Sequence, residues 1–330
     1  MKQGVISKIL TTSCIVTLLS TSAFASQEDV RTALKAGNLE EAVQAYKTLS
    51  KDESSNIDGK ILWARILLTQ KETEDAYDLL EELVDKNTEN AELQFRFGQG
   101  SLAMVNEVNM FSKLGYAKDG VKAWTKAVEI DPSHENALKG LIGFYRVAPG
   151  IAGGDVEKAL VYAEKLKVIN APAGIANLFQ VYQTMEKEDL AMKTLVDGIA
   201  QYPKNSQLLY FRGINALENE QWQASYQDFN TALSFAIDER EQINVLYQLG
   251  ELAVMSGENV ASAIASVKKL MTLKNHQYLQ WGNLKLAQLY KIQKDFVNAK
   301  STLALVDDDN DDKLEDEVKK LKKQLKNLMK

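Results

Sequence analysis

The sequence predicts an all-α protein built from stacked helix pairs, an α-solenoid, and three observations carry that expectation. A small residue followed four positions later by a large apolar one recurs along the chain, as in Ala42 with Tyr46 and Ala76 with Leu80, and 76 − 42 gives a period of 34. The composition is that of an ordinary globular chain, 45% apolar and 25% charged, which disfavours disordered, collagen-like and coiled-coil classes. Three of the four prolines, Pro132, Pro172 and Pro203, fall where second helices of a pair should end. A length of 330 residues suits about two ordinary domains or one elongated array.

The first 25 residues read as an address rather than as fold. Lys2 and Lys8 form a positive start, an apolar stretch runs from Ile9 to Leu19, and Ala23-Phe24-Ala25 places small residues before a cut. This is the pattern of a secretory signal peptide with cleavage near Ala25/Ser26, and it predicts a periplasmic or secreted product. A membrane anchor is the alternative, but the apolar run falls short of the ~20 residues needed to span. Cys14 suggests a lipoprotein, yet Thr11 stands where a Leu-like residue is expected and the apolar run continues past it. Removal of the leader takes away two lysines and no acids, so the net charge becomes 37 − 45 = −8. That balance argues against a nucleic-acid binder with a basic face. Cys14 is also the only cysteine, so the mature chain has no disulfide and depends on packing.

The segment from Gly37 to Tyr46 reads G-x-L-x-x-A-x-x-x-Y and resembles the second half of a tetratricopeptide repeat, or TPR. The small residue returns at Gly120 with Trp124 and Ala127, at Ala159 with Ala163 and Leu166, and at Ala191 with Leu195 and Gly198. Ser225 with Phe229 and Ala232, Ala263 with Val267 and Leu270, and Ala299 with Leu303 complete the series. The first helices agree, with Trp63-Ala64 and Leu67, Arg212-Gly213 and Ala216, Leu249-Gly250 and Ala253, and Leu286-Ala287 and Tyr290. The resemblance implies a right-handed TPR superhelix of about eight units over residues 26–308, with a capping helix at 309–330. Its physical basis is close crossing. Two antiparallel helices approach tightly only where the crossing carries Ala, Gly or Ser, and the larger residues fill the next unit's holes. A single unit cannot bury its own apolar face, so units stack.

Two breaks interrupt the period. Residues 106–115 are an insertion with Val108, Met110, Phe111 and Leu114 at helical spacing. Either both helices of that unit are extended and bury these residues against each other, or they form a protruding apolar knob. The second break, residues 148–154, ends in Gly153-Gly154 before Asp155. A glycine-rich loop ahead of a helix can cradle phosphate, but this one lacks the following Lys and Ser/Thr. The plainer expectation is a shaped turn in which Pro149 stops the helix, Gly153 and Gly154 take positive φ, and Asp155 caps the next helix. The string is similar to a feature of a group of exported bacterial TPR proteins to which no chemistry is assigned.

Material for catalysis is scarce. His134 and His276 read as surface residues in different units, with no Cys and no acid at ligand spacing beside them, so neither a metal nor a cofactor is expected. The run from Asp307 to Asp312 matches the first three ligand positions of a calcium loop, but Asp312 replaces the required Gly and Val318 the bidentate Glu. The final helix places Leu314, Val318, Leu321, Leu325 and Leu328 on one stripe among lysines, which suits a cap, with dimer or membrane contact as alternatives.

The TPR resemblance implies a non-enzymatic scaffold whose concave groove, lined by first-helix side chains, holds a protein or peptide partner. Carried over unit by unit, the groove positions are Arg65 with Leu68, Phe95 with Gln99, Lys139 with Arg146, and Gln180 with Gln183. They continue with Tyr210 and Ile214, Tyr247 and Glu251, and Gln288 and Lys291. Arg65, Lys139 and Arg146 favour a carboxylate or acidic peptide in that half, and the two tyrosines suit apolar side chains. A solute-binding or transporter-accessory role is the alternative, drawing on the 148–154 loop and the insertion to shape a pocket. An enzyme is the weakest reading, since the parts are missing, and homo-oligomerisation stays open.

Overall fold

The computed structural model describes residues 25–273, 278–308 and 311–328. The signal-peptide and Cys14 readings therefore lie outside the described residues, as do His276 and Asp309 of the acidic run. Among the described residues the regular structure is helical, apart from an isolated bridge between Ala25 and Leu49. No helix there is long and apolar enough to cross a membrane.

Consecutive helices pack as antiparallel pairs, A then B. They are α1 (Gln27–Lys35) with α2 (Leu39–Lys47), then a short α3 (Lys51–Ser55), then α4 (Ile57–Gln70) with α5 (Thr73–Lys86). The third pair is α6 (Ala91–Glu107) with α7 (Met110–Ile130), and the fourth α8 (Glu135–Val147) with α9 (Val156–Ile169). Next come α10 (Ala171–Thr184) with α11 (Glu188–Gln201), and α12 (Ser206–Glu218) with α13 (Trp222–Phe235). The last are α14 (Glu239–Ser256) with α15 (Val260–Thr272), α16 (Leu279–Ile292) with α17 (Phe296–Leu303), and a single α18 (Asp312–Leu328).

Many of the helices start where the chain supplies a local acceptor. Asn38, Asn56, Asn90, Asn170 and Asn205 all cap with their side-chain oxygen, so the repeat carries its own start signal. Pro172 departs from expectation. It lies in the first turn of α10 rather than at the end of α9, where its missing N–H would be unpaired in any case.

The small residues do what the crossing requires. Ala42, Ala76, Ala159, Ala191, Ser225 and Ala299 are fully buried, and Ala263 is buried almost as completely. A Cβ on Gly98 would lie 2.8 Å from the Gly120 carbonyl oxygen, and Ser225 Oγ donates to the Gly213 carbonyl at 2.9 Å. These are close approaches to a facing helix backbone that larger side chains would prevent. Buried residues from successive pairs merge into clusters that run along the array, for example Trp124, Leu138 and Leu166 across three consecutive B, A and B helices.

At the C-terminal end, Leu314, Val318, Leu321 and Leu325 of α18 are buried against Leu284, Ala287, Ala299 and Leu303 of the last pair. That stripe is a cap, and only Leu328 at its end stays exposed. Asp311 begins the helix by accepting from Leu314 N at 3.1 Å, and its other oxygen accepts from Trp281 Nε1 at 3.0 Å.

The insertion lengthens both α6 and α7, but it does not bury its apolar residues. Met110 and Phe111 are 77% and 96% exposed, and Leu114 is exposed as well. Asn109 caps α7 directly after α6 stops, so the turn is two residues long and the pair projects as a knob. The second break is the shaped turn expected, with Pro149 after the end of α8 and Asp155 capping α9, except at one glycine. Gly153 has φ +100, but Gly154 is not in the left-handed region. Gly154 is needed because a Cβ there would sit 1.7 Å from the Ala148 oxygen. Residues 150–152 form one 3-10 turn, and Asp155 caps α9 by accepting from Lys158 N at 3.1 Å.

Candidate functional site

The A helices carry the positions assigned to the groove. Arg65 lies on α4, Gln99 on α6, Lys139 and Arg146 on α8, Gln180 on α10, Tyr210 on α12 and Tyr247 on α14. All of these are half-buried except Lys139, which is exposed. Phe95 is the exception that corrects the assignment. It is 4% exposed, stacks on Trp124 with ring centroids 6.3 Å apart, and belongs to the core. Its carbonyl accepts from Trp124 Nε1 at 3.0 Å. A ring held in this way is not available to a partner.

In the N-terminal half the charges sort into paired and unpaired. Arg96 donates to Glu92 Oε1 at 2.6 Å and to Gln99 Oε1 at 2.7 Å, so the Gln99 carbonyl is already occupied. Lys139 is held by Glu135 at 3.0 Å, and the same carboxylate accepts from Asn170 Nδ2. Arg65 and Arg146 differ from these. Among the described residues no carboxylate lies within ion-pair distance of either guanidinium. Burial pushes Arg65 down to about 10, helped by the nearby positive charge of Arg96, and burial lowers Arg146 too. Both are partly desolvated cations with no carboxylate in contact, although the Glu92 charge acts on Arg65 from farther off and partly offsets the shift.

His134 is not the surface residue expected. Its side chain is 10% exposed and its ring centroid lies 5.0 Å from that of Phe95. Nδ1 accepts from Ala137 N at 3.2 Å as the cap of α8, which leaves the proton on Nε2 to be donated to Glu92 Oε2 at 3.2 Å. The contact joins the third pair to the fourth. Glu92, 42 residues earlier, gave no local sign of it.

The C-terminal half gathers aromatic and charged groups. Tyr247 stacks on Tyr278 with centroids 4.3 Å apart, and Tyr278 is close enough to Tyr210 to raise the latter's hydroxyl further after burial has done so. Glu251, one turn beyond Tyr247, pairs with Lys285, which is only 6% exposed. Gln288 has its Oε1 buried with no donor among the described residues, and Lys291 donates to Gln324 on α18 at 2.7 Å. Sequence reasoning placed Tyr210, Tyr247 and Glu251 but missed Tyr278 and Lys285. Tyr278 precedes α16, ahead of the repeat pattern, and a lysine seldom signals burial.

A separate cavity of about 960 Å³ lies on the B-helix side, walled by α5, α7 and the start of α9. The 3-10 turn Gly150–Ala152 closes one side of it, whereas Met110, Phe111 and Leu114 take no part. The loop therefore shapes a cavity and the insertion does not. Among the described residues no cluster of His, Cys, Asp and Glu could hold a metal ion.

Residues 33–94 match a tetratricopeptide-repeat family model. The array has the fold of a TPR solenoid. Its likeness to solved structures covers far more of the chain than the family model does. The yeast Tom70 crystal structure superposes with a TM-score of 0.56 at 11% identity over 92% of this chain and 81% of that one. The structure titled APC/C hetero-tetramer Cut9-Hcn1 gives 0.53 at 17% identity over 88% of this chain. It covers 54% of that chain, so the protein spans about half the length of this relative. A tetratricopeptide repeat protein from Parabacteroides merdae gives 0.51 at 13% identity over 79% of this chain and 96% of that one. Identities this low carry the fold alone. No curated protein sequence matches the chain significantly.

Proposed function

We propose that this TPR protein is a non-enzymatic scaffold of the periplasm that holds an acidic peptide segment of a partner protein on its A-helix side. One observation carries the reading: Arg65 and Arg146 are half-buried guanidiniums with no carboxylate partner among the described residues. Holding a cation partly out of water without a counter-ion is unfavourable, and a partner carboxylate offsets that cost through a forked, charge-assisted bond. Tyr247 and Tyr278 present stacked rings farther along the array, where an apolar side chain of the same segment would lie. Export rests on the leader-like residues 1–25.

The test is capture from periplasmic extract with wild type and with Arg65→Gln/Arg146→Gln. The double variant should lose the captured protein and keep its helical melting curve. Undiminished capture would sink the groove assignment. Export is checked separately by fractionation and by sequencing the purified N-terminus, which should begin at Ser26.

The alternative of a solute-binding or transporter-accessory protein draws on the cavity beside residues 150–153. A solute that raises the melting temperature in proportion to the logarithm of its concentration would favour it.

A further inference from the structure

We infer that the C-terminal end of the array is a docking surface for an anionic lipid bilayer, held by lysines on the outward face of α18 and at the close of α16. The surface is independent of the A-helix groove. The sequence raised membrane contact through the apolar stripe of α18, but Leu314, Val318, Leu321 and Leu325 are buried in the cap and do not reach a bilayer. What the helix leaves outside is its polar face, and that face is sorted by sign. Asp312, Glu315, Asp316 and Glu317 lie in its first half with one base, Lys313. Lys319, Lys320, Lys322, Lys323 and Lys326 follow with no acid among them.

Pairing uses up the middle of the helix and not its end. Lys319 is held by Glu315 at 2.6 Å and Lys320 by Glu317 at 3.3 Å, and the charge of Asp316 acts on Lys319 as well. Lys322, Lys323 and Lys326 are exposed, and among the described residues no ion pair engages them. Lys291 Nζ donates to Gln324 Oε1 at 2.7 Å, which sets the end of α16 beside the last turns of α18 and brings the exposed Lys294 to the same end. The acids there are Asp295, occupied in capping α17, and Glu258 in the turn after α14. Lys291, Lys294, Lys322, Lys323 and Lys326 thus stand against two acids, a surplus of three. The C-termini of α16 and α18 together offset about one of these charges through their dipoles, and a positive field remains. Asp316 lies ten residues before Lys326, about 15 Å along the helix. That exceeds the screening length of ~8 Å at physiological salt, so the acids of the first half do not cancel the charge at the tip.

The chemistry of this end favours a bilayer over a folded acidic partner. Lysines are strongly hydrated point charges without the fork of arginine, and they suit mobile headgroup phosphates better than carboxylates fixed in one geometry. Leu328, at the end of α18, and Val297, in the first turn of α17, are exposed beside the lysines, where apolar side chains reach the headgroup boundary.

Cosedimentation with vesicles of phosphatidylcholine alone and with about one-third phosphatidylglycerol tests the inference. At about 0.1 M salt the protein should bind the anionic vesicles and not the zwitterionic ones, and about 0.5 M salt should release it. Lys322→Gln/Lys323→Gln/Lys326→Gln should weaken binding by about a hundredfold, about fivefold for each lysine removed, with an unchanged melting curve. Arg65→Gln/Arg146→Gln should bind vesicles as wild type does, which separates failure here from failure of the groove reading. No binding to the anionic vesicles, equal binding to both kinds, or full binding by the triple variant would each overturn the assignment. Binding to soluble polyglutamate without binding to vesicles would overturn it too, and would assign the lysines to an acidic protein.

Discussion

Across the α12–α13 crossing, the Arg212 guanidinium holds the Asp228 carboxylate at two points, Nε to Oδ2 at 2.8 Å and Nη2 to Oδ1 at 2.6 Å. The carboxylate side chain is 9% exposed and the arginine 36%, so the acid is the more deeply buried partner. Removing the arginine would strand that acid, whereas removing the acid frees a cation that still reaches water. Arg212→Ala should therefore destabilise more than Asp228→Asn, for which about 2 kcal/mol is expected. Urea unfolding of the two variants decides the order, and the opposite ranking would contradict the burial argument.

The crossings predict where volume is not tolerated. Ala76 and Ala191 have no exposed surface, so Ala76→Leu or Ala191→Leu should each cost about 1–3 kcal/mol by overpacking. Ala36 is the exposed C-terminal cap of α1, and Ala36→Leu should cost distinctly less. Equal losses in the three variants would mean that the small residues do not mark the crossings.

The bond between His134 and Glu92 makes a prediction about acid. Burial favours a raised Glu92 pKa, but bonds from His134 and Arg96 outweigh it and hold the carboxyl below its usual 4.5. A lowered folded-state pKa adds stability that is present above the unfolded value and disappears as pH falls through the folded one. Between about pH 5 and pH 3, Glu92→Gln should thus lose less stability than wild type. Parallel denaturation series at several pH values would show it, and curves of the same slope would remove Glu92 from the account.

Arg65 predicts a conflict between stability and capture. Because its charge is desolvated and unpaired, Arg65→Met keeps the apolar stem and should leave stability unchanged or raise it, by up to about 1 kcal/mol. Partner capture should fall in the same variant. A marked loss of stability would indicate a structural role for the guanidinium.

The knob separates exposure from packing. Phe111→Ser should change stability by less than about 0.5 kcal/mol, since the ring is 96% exposed. Trp124→Ala, which empties a core site and removes the bond to the Phe95 carbonyl, should cost about 3–5 kcal/mol. Thermal melts of both variants provide the comparison.

The repeat was legible because its determinants are local. Ala76 and Leu80 lie one turn apart, and their sizes alone report a helix that another helix must cross closely. The asparagine caps are local as well. The insertion was legible as a break in the period but not in its outcome: apolar spacing reads the same whether a face is covered or bare. Phe95 and His134 were misplaced for a related reason. Their surroundings come from Trp124 on α7 and Glu92 on α6, and no window around either residue contains both partners.

The order of residues by itself determined the helices, their pairing and the stacking of units, because each follows from side-chain size within one or two turns. Which side chains remained unpaired was decided only when helices far apart in the chain came together. Arg65 has no carboxylate within ion-pair distance and Lys285 has Glu251 because the superposition of units sets those distances. Coulomb energy and desolvation depend on separation in space, and a linear pattern does not carry that separation.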